Sequence, residues 1–136
     1  MTTALQISEA TSLALHSMAL IARGEGRLVS GRDIAQTMQF SRAHLAKVLQ
    51  RLVHTGLLCS VRGPKGGFVL ARPANKITLL DIYEVIEGPL STEPCPVNAQ
   101  ECPFGECILK QLPERLTSEF RDFLSATTLA DISQKE

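Results

Sequence analysis

Nowhere in the 136 residues is there an apolar run long enough to cross a bilayer, which takes about 20 consecutive apolar side chains. A helical membrane anchor is therefore not expected. Met1–Gln6 lack a basic start leading into an apolar stretch, so no secretion signal is read there. A cytoplasmic protein without a membrane partner is the expectation. No internal repeat or low-complexity segment occurs. Neither a Ser/His/Asp grouping nor a pair of carboxylates stands out, and no enzyme is expected. The most informative absence is local: residues 34–80 contain no Asp or Glu at all.

That acid-free stretch holds seven basic residues: Arg42, Lys47, Arg51, Arg62, Lys65, Arg72 and Lys76. The preceding 33 residues are balanced, and residues 81–136 hold 4 basic against 11 acidic side chains. The net charge of zero thus conceals a basic centre and an acidic C-terminal part. A basic segment suits a polyanion, because each phosphate it neutralises releases condensed counterions. Charge alone would equally describe a solvated basic face. Apolar residues make up 44% of the chain, enough for a modest core in one compact domain.

Apolar spacing predicts mostly helices. Ala10, Leu13, Ala14, Met18 and Ile21 form one helical face after a Ser8 cap, and Gly24 and Gly26 supply the left-handed exit. Ser30 caps a short helix running to Met38, with Asp33 near its positive end. Ser41 caps another, carrying Leu45, Val48, Leu49 and Leu52 on one face and ending near Gly56. Leu57–Arg62 and Phe68–Ala71 flank a Gly/Pro turn and read as a β-hairpin. Thr78 opens a further helix, with Asp81 in capping-box position. Gly88-Pro89 ends it. Residues 88–107 show no hydrophobic period, and a last helix, from Ile108 or Pro113 to Ala126, aligns Leu116, Phe120, Phe123 and Leu124.

Helix, short helix, turn, helix and hairpin in that order make a winged helix-turn-helix. The fold class is mainly α with a small β-hairpin. In this motif the second helix of the pair enters the major groove. Ser41, Arg42, Ala43 and His44, at the start of the reading helix, are placed to reach base edges: an arginine can pair with guanine and a methyl can meet thymine. Lys47 and Arg51 are expected at phosphates. Arg62 and Lys65 on the hairpin would lie along the minor groove or the flanking backbone. Double-stranded DNA is the expected partner.

Four cysteines occur, and Cys95, Cys102 and Cys107 fall within thirteen residues of the loop. Such crowding favours metal binding or redox chemistry over a disulfide framework. Thiolates are soft donors suited to iron–sulfur clusters. Zinc sites more often pair cysteines two to four residues apart, and a disulfide switch would need only two of the three. Cys59, on the first hairpin strand, is expected to be a small buried hydrophobe.

The run Arg62-Gly63-Pro64-Lys65-Gly66-Gly67-Phe68-Val69-Leu70-Ala71-Arg72-Pro73, followed by Ile77-Thr78-Leu79-Leu80-Asp81-Ile82 and Glu87-Gly88, resembles the IscR/NsrR family of bacterial transcription regulators. The likeness extends from Leu13-Ala14-Leu15 to Thr128-Leu129-Ala130-Asp131-Ile132. It implies a homodimer on palindromic promoter DNA, with a long helix, here residues 108–126, crossing to the partner. It divides the chain into a winged helix-turn-helix over 1–87, a cluster loop over 88–107, and a dimerisation helix and tail over 108–136. It also implies an iron–sulfur cluster, 4Fe–4S or 2Fe–2S, on Cys95, Cys102 and Cys107, gating DNA binding by redox state, nitric oxide or iron status. A cluster-free thiol- or zinc-based regulator of the same fold is the alternative. The sequence departs from the family in its uneven cysteine gaps and in Lys110, which replaces a histidine that completes some relatives' clusters. Where relatives draw the fourth ligand from the partner's first helix, Ser12 stands at the carboxylate position. The resemblance makes His16, one turn on, the fourth-ligand candidate, although it also reads as an ordinary helix histidine.

Overall fold

A computed structural model describes residue 5 and residues 7–91 and 101–133. Cys95, one of the three loop cysteines, lies outside the described residues.

Helix α1 (Glu9–Arg23) begins where Ser8, in extended conformation, accepts a hydrogen bond from the Thr11 N–H at 3.1 Å. Its inner face, Leu13, Ala14, Met18 and Ile21, is buried. The exit differs from the expected one. Gly24 stays right-handed, and the left-handed turn is made by Glu25 (φ 50°) and Gly26 (φ 89°). Ser30 caps α2 (Gly31–Met38) through the Asp33 N–H at 3.1 Å, and Gln39 closes it at φ 57°. Helix α3 (Arg42–His54) follows its Ser41 cap, and its Leu45, Val48, Leu49 and Leu52 pack beneath α1.

Strands β1 (Leu58–Val61) and β2 (Gly67–Leu70) pair antiparallel, with Leu58 opposite Leu70 and Val61 opposite Gly67. Cys59 corrects an expectation: it is exposed. Side chains alternate along a strand, and Leu58 takes the position facing the core, which turns its neighbour outward. After a single 3₁₀ turn comes α4 (Leu79–Glu87). Its start is a complete capping box: Thr78 Oγ1 accepts from the Asp81 N–H at 3.1 Å, and Asp81 Oδ2 accepts from the Thr78 N–H at 3.0 Å.

The last long helix, α5 (Leu112–Ala126), starts later than residue 108, because Lys110 and Gln111 adopt φ 50° and 63° and interrupt any continuous helix. Pro113 falls in its first turn, where a missing N–H costs nothing. A sixth helix, α6 (Leu129–Ser133), was not anticipated. It returns the chain to α1: Leu129 is fully buried, its N–H donates to the Ile77 carbonyl at 3.0 Å, and the Leu79 N–H donates to the Thr127 carbonyl at 2.9 Å. Residues from 13 to 129 therefore share one core, with α1 at its centre.

Candidate nucleic-acid interface

A concave surface of about 930 Å³ opens between the start of α2, one side of α3 and the hairpin. Arg42, Ala46 and Gln50, spaced four residues apart and therefore stacked along one helix face, form its α3 wall. Ser60 and Arg62 on the hairpin oppose them. Arg32 joins from α2, so three guanidinium-bearing residues line the surface against one acid, Asp33. Arg32 was not singled out from sequence. Arg32 sat in a charge-balanced window, and its signal was its place in the first turn after the Ser30 cap.

The hairpin is tied by backbone bonds to Val29, just before the Ser30 cap of α2. The Phe68 N–H donates to the Val29 carbonyl at 2.8 Å, and the Val29 N–H donates back at 3.0 Å. A Cβ on Gly67 would stand 2.7 Å from the Val29 oxygen, and one on Gly66 only 2.0 Å from the Val61 oxygen. Only glycine permits this approach. The wing is thus a closely folded arm, with Arg62 and Lys65 exposed on it.

On α3, Ser41, Arg42, Ala43 and Lys47 are exposed. The other two expected contacts point elsewhere. His44 is half-buried, its Nδ1 3.4 Å from Oε1 of Glu9 on α1. Arg51, expected at a phosphate, is exposed, and its Nη2 donates to the Val85 carbonyl at 2.8 Å and the Ile86 carbonyl at 3.2 Å, at the end of α4. Beside it, Glu87 accepts hydrogen bonds from the Ser8 hydroxyl and, at 2.6 Å, from the Thr11 hydroxyl. These bonds, Ser8's foremost, hold the Glu87 carboxyl below its ordinary pKa.

Of the expected metal ligands, Cys102 is half-buried and Cys107 exposed, and both are free thiols. Among the described residues no three His, Cys, Asp or Glu side chains form a group that could hold a metal ion. His16 is exposed, with Nδ1 2.7 Å from the Ser12 carbonyl oxygen. A histidine that donates from Nδ1 to a carbonyl presents Nε2 as its basic nitrogen, the arrangement a metal-binding imidazole requires.

The apolar residues of α5 divide between two sides. Phe120 meets Tyr83 of α4 edge-on at 5.3 Å between centroids, and Leu124 is buried. Leu116 and Phe123 are instead 51% and 61% exposed, with Leu112 on the same outer side. The single stripe expected from spacing is therefore two faces, one used within the chain. Among the described residues no helix is long and apolar enough to cross a membrane.

Residues 7–135 match the family model of Rrf2, an iron-dependent transcriptional regulator. A protein of Aquifex aeolicus (strain VF5) named "Putative HTH-type transcriptional regulator" is 36% identical over 128 residues, covering 92% of this chain and 89% of its own. Among solved structures, CymR (YrzC), the global cysteine regulator of B. subtilis, superposes with a TM-score of 0.80 at 34% identity, over 95% of this chain and 96% of its own. T. potens IscR superposes at 0.75 with 30% identity, over 95% and 86%. These relatives are transcription regulators, not enzymes, and the mostly helical fold with its two-stranded hairpin is theirs. The chain belongs to the Rrf2 family of transcriptional regulators.

Proposed function

We propose that the protein is a homodimeric, sequence-specific regulator that reads promoter DNA with α3 and the wing and is gated by an iron–sulfur cluster on Cys95, Cys102 and Cys107. The observation that carries the DNA-reading part is the concave surface that Arg32, Arg42, Gln50 and Arg62 line together. Arg42 and Gln50 suit base edges, guanine and adenine respectively. Ser41, Ala43 and Lys47 extend the contact along the helix, and Arg62 and Lys65 follow the backbone or the minor groove. The outer face of α5, with Leu116 and Phe123, suits a second copy. A two-fold dimer would then present its reading helices about 34–36 Å apart, one turn of the duplex.

The donor chemistry fits a cluster. Cys102 and Cys107 are unpaired thiols, and His16 of a partner subunit would offer its Nε2 as a fourth ligand. When bound, such a cluster supplies iron that reacts with oxidants and nitric oxide. The chain's own part is to hold the loop between α4 and α5, so that a change at the thiols shifts the helix that carries the partner. Likeness to a global cysteine regulator favours a second reading, in which the exposed Cys107 thiol responds without metal.

Anaerobic purification with iron and sulfide analysis, followed by DNA binding with and without the bound group, separates the two. Visible charge-transfer absorption that disappears in a Cys95→Ala variant supports the cluster. Metal-free protein whose DNA binding changes on thiol oxidation supports the second reading.

A further inference from the structure

We propose that Arg51 is a positioning residue: it joins the reading helix to the end of α4, which α5 also grips, so that the set of α3 on DNA follows the position of α5. This inference rests on the DNA-reading role of α3 proposed above.

Arg51 follows Arg42 by nine residues, about two and a half helical turns, which puts it on the opposite side of α3 from the groove. Its neighbours agree with that placement. The last carbonyls of a helix have no donor within the helix and carry the negative end of its dipole. Arg51 Nη2 meets two of them, Val85 and Ile86, at 2.8 and 3.2 Å. The Glu84 carbonyl is satisfied locally by the Gly88 N–H at 2.9 Å. Glu87, next in line, ties the same turn to the start of α1 through Ser8 and Thr11.

From the other side, Arg121 of α5 donates to the Leu90 carbonyl, two residues beyond Gly88, and Phe120 abuts Tyr83 one turn earlier. The end of α4 is thus held by α1, α3 and α5 at once. Arg51 also acts on the Glu87 carboxyl through its charge, while the α3 side facing the groove is left for a ligand. A displacement of α5 reaches α4 through Leu90 and α3 through Arg51.

The test uses a duplex that the wild-type protein recovers from a random-sequence pool, together with an unrelated duplex. Arg51→Met should weaken binding to the recovered duplex several-fold, up to about tenfold, less than the full worth of a charge-assisted hydrogen bond because this one is exposed to solvent. The slope of log K against log salt should stay unchanged, because no phosphate contact is lost, and binding to the unrelated duplex should hardly move. Arg51→Lys should restore most of the affinity. In the free protein, hydrogen exchange at residues 85–90 and in α3 should quicken in Arg51→Met and recover in Arg51→Lys. A slope reduced by about one per contact would make Arg51 a phosphate contact and overturn the proposal. Unchanged affinity or unchanged exchange in Arg51→Met would overturn it too. If the wild type recovers no duplex, the DNA reading of α3 fails first, and the exchange data still judge the clamp.

Discussion

The two exposed surfaces of this chain are built on opposite principles. Around the groove, the backbone is closed by caps and cross-bonds, and what faces solvent is mostly polar, Ser41, Arg42, Lys47, Gln50 and Arg62, with Val61 the large apolar exception. Along the outside of α5 and the turns before it, large apolar side chains stand in solvent between charged ones such as Glu114, Arg115 and Glu119. Ile108 is 72% exposed, Leu109 53%, Leu116 51% and Phe123 61%. Burying each such side chain stabilises by about 1.5–3 kcal/mol. The first surface is therefore complete within one chain and awaits a hydrated polyanion. On the reading proposed above, the second is the face that a second copy would cover.

The largest effect expected from this contrast is at α5. Leu116→Asp with Phe123→Asp should weaken self-association by about 4 kcal/mol or more, on the order of a thousandfold, while leaving the monomer folded. Sedimentation equilibrium against circular dichroism measures both, and a wild type that is monomeric at micromolar concentration would break the comparison. Next, Arg42→Ala with Lys47→Ala should cost about 2–4 kcal/mol of DNA binding and flatten its salt dependence, with no effect on association. Unaltered affinity and slope would remove α3 as the reader.

Smaller again is a matched pair of glycine changes. Gly66→Ala forces a Cβ against the Val61 carbonyl and should destabilise by about 1–3 kcal/mol, whereas Gly105→Ala meets nothing within 4 Å and should fall within about 0.5 kcal/mol of wild type. Equal melting temperatures for the two would show the wing to be as loose as the segment before α5. The smallest effect is a pH dependence. Because hydrogen bonds from Ser8 and Thr11 depress the Glu87 pKa, its contribution is present above the ordinary value of 4.5 and lost as pH falls below it. The stability gap between wild type and Glu87→Gln should therefore narrow as denaturation is repeated at falling pH, and a widening gap would refute the assignment.

Much of α3, its neighbours and the hairpin was legible from residue order. Cap residues Ser8, Ser30, Ser41 and Thr78 mark helix starts by local hydrogen bonding, and a glycine-rich turn between two apolar runs marks a hairpin. α6 carried the same kind of signal unread: Thr128 and Asp131 repeat the spacing of Thr78 and Asp81, and the Thr128 N–H meets Asp131 Oδ2 at 2.8 Å. What spacing could not convey was which neighbour each face meets. His44 and Arg51 share one side of α3 with Lys47 in a linear reading, yet His44 is half-buried beside Glu9 of α1, and Arg51, though exposed, bonds to the end of α4. Cys59 looked like a core residue by type, but strand alternation turns it outward.

Local chemistry, the acid-free basic centre and the periodicity of apolar residues determined the elements, their order and the basic character of residues 34–80, because those depend on residues within a few positions of one another. Tertiary packing alone decided that α6 closes the core and that α5 has one face used and one free. It also decided that Arg51 serves α4, because such contacts join residues tens of positions apart whose meeting no local rule encodes.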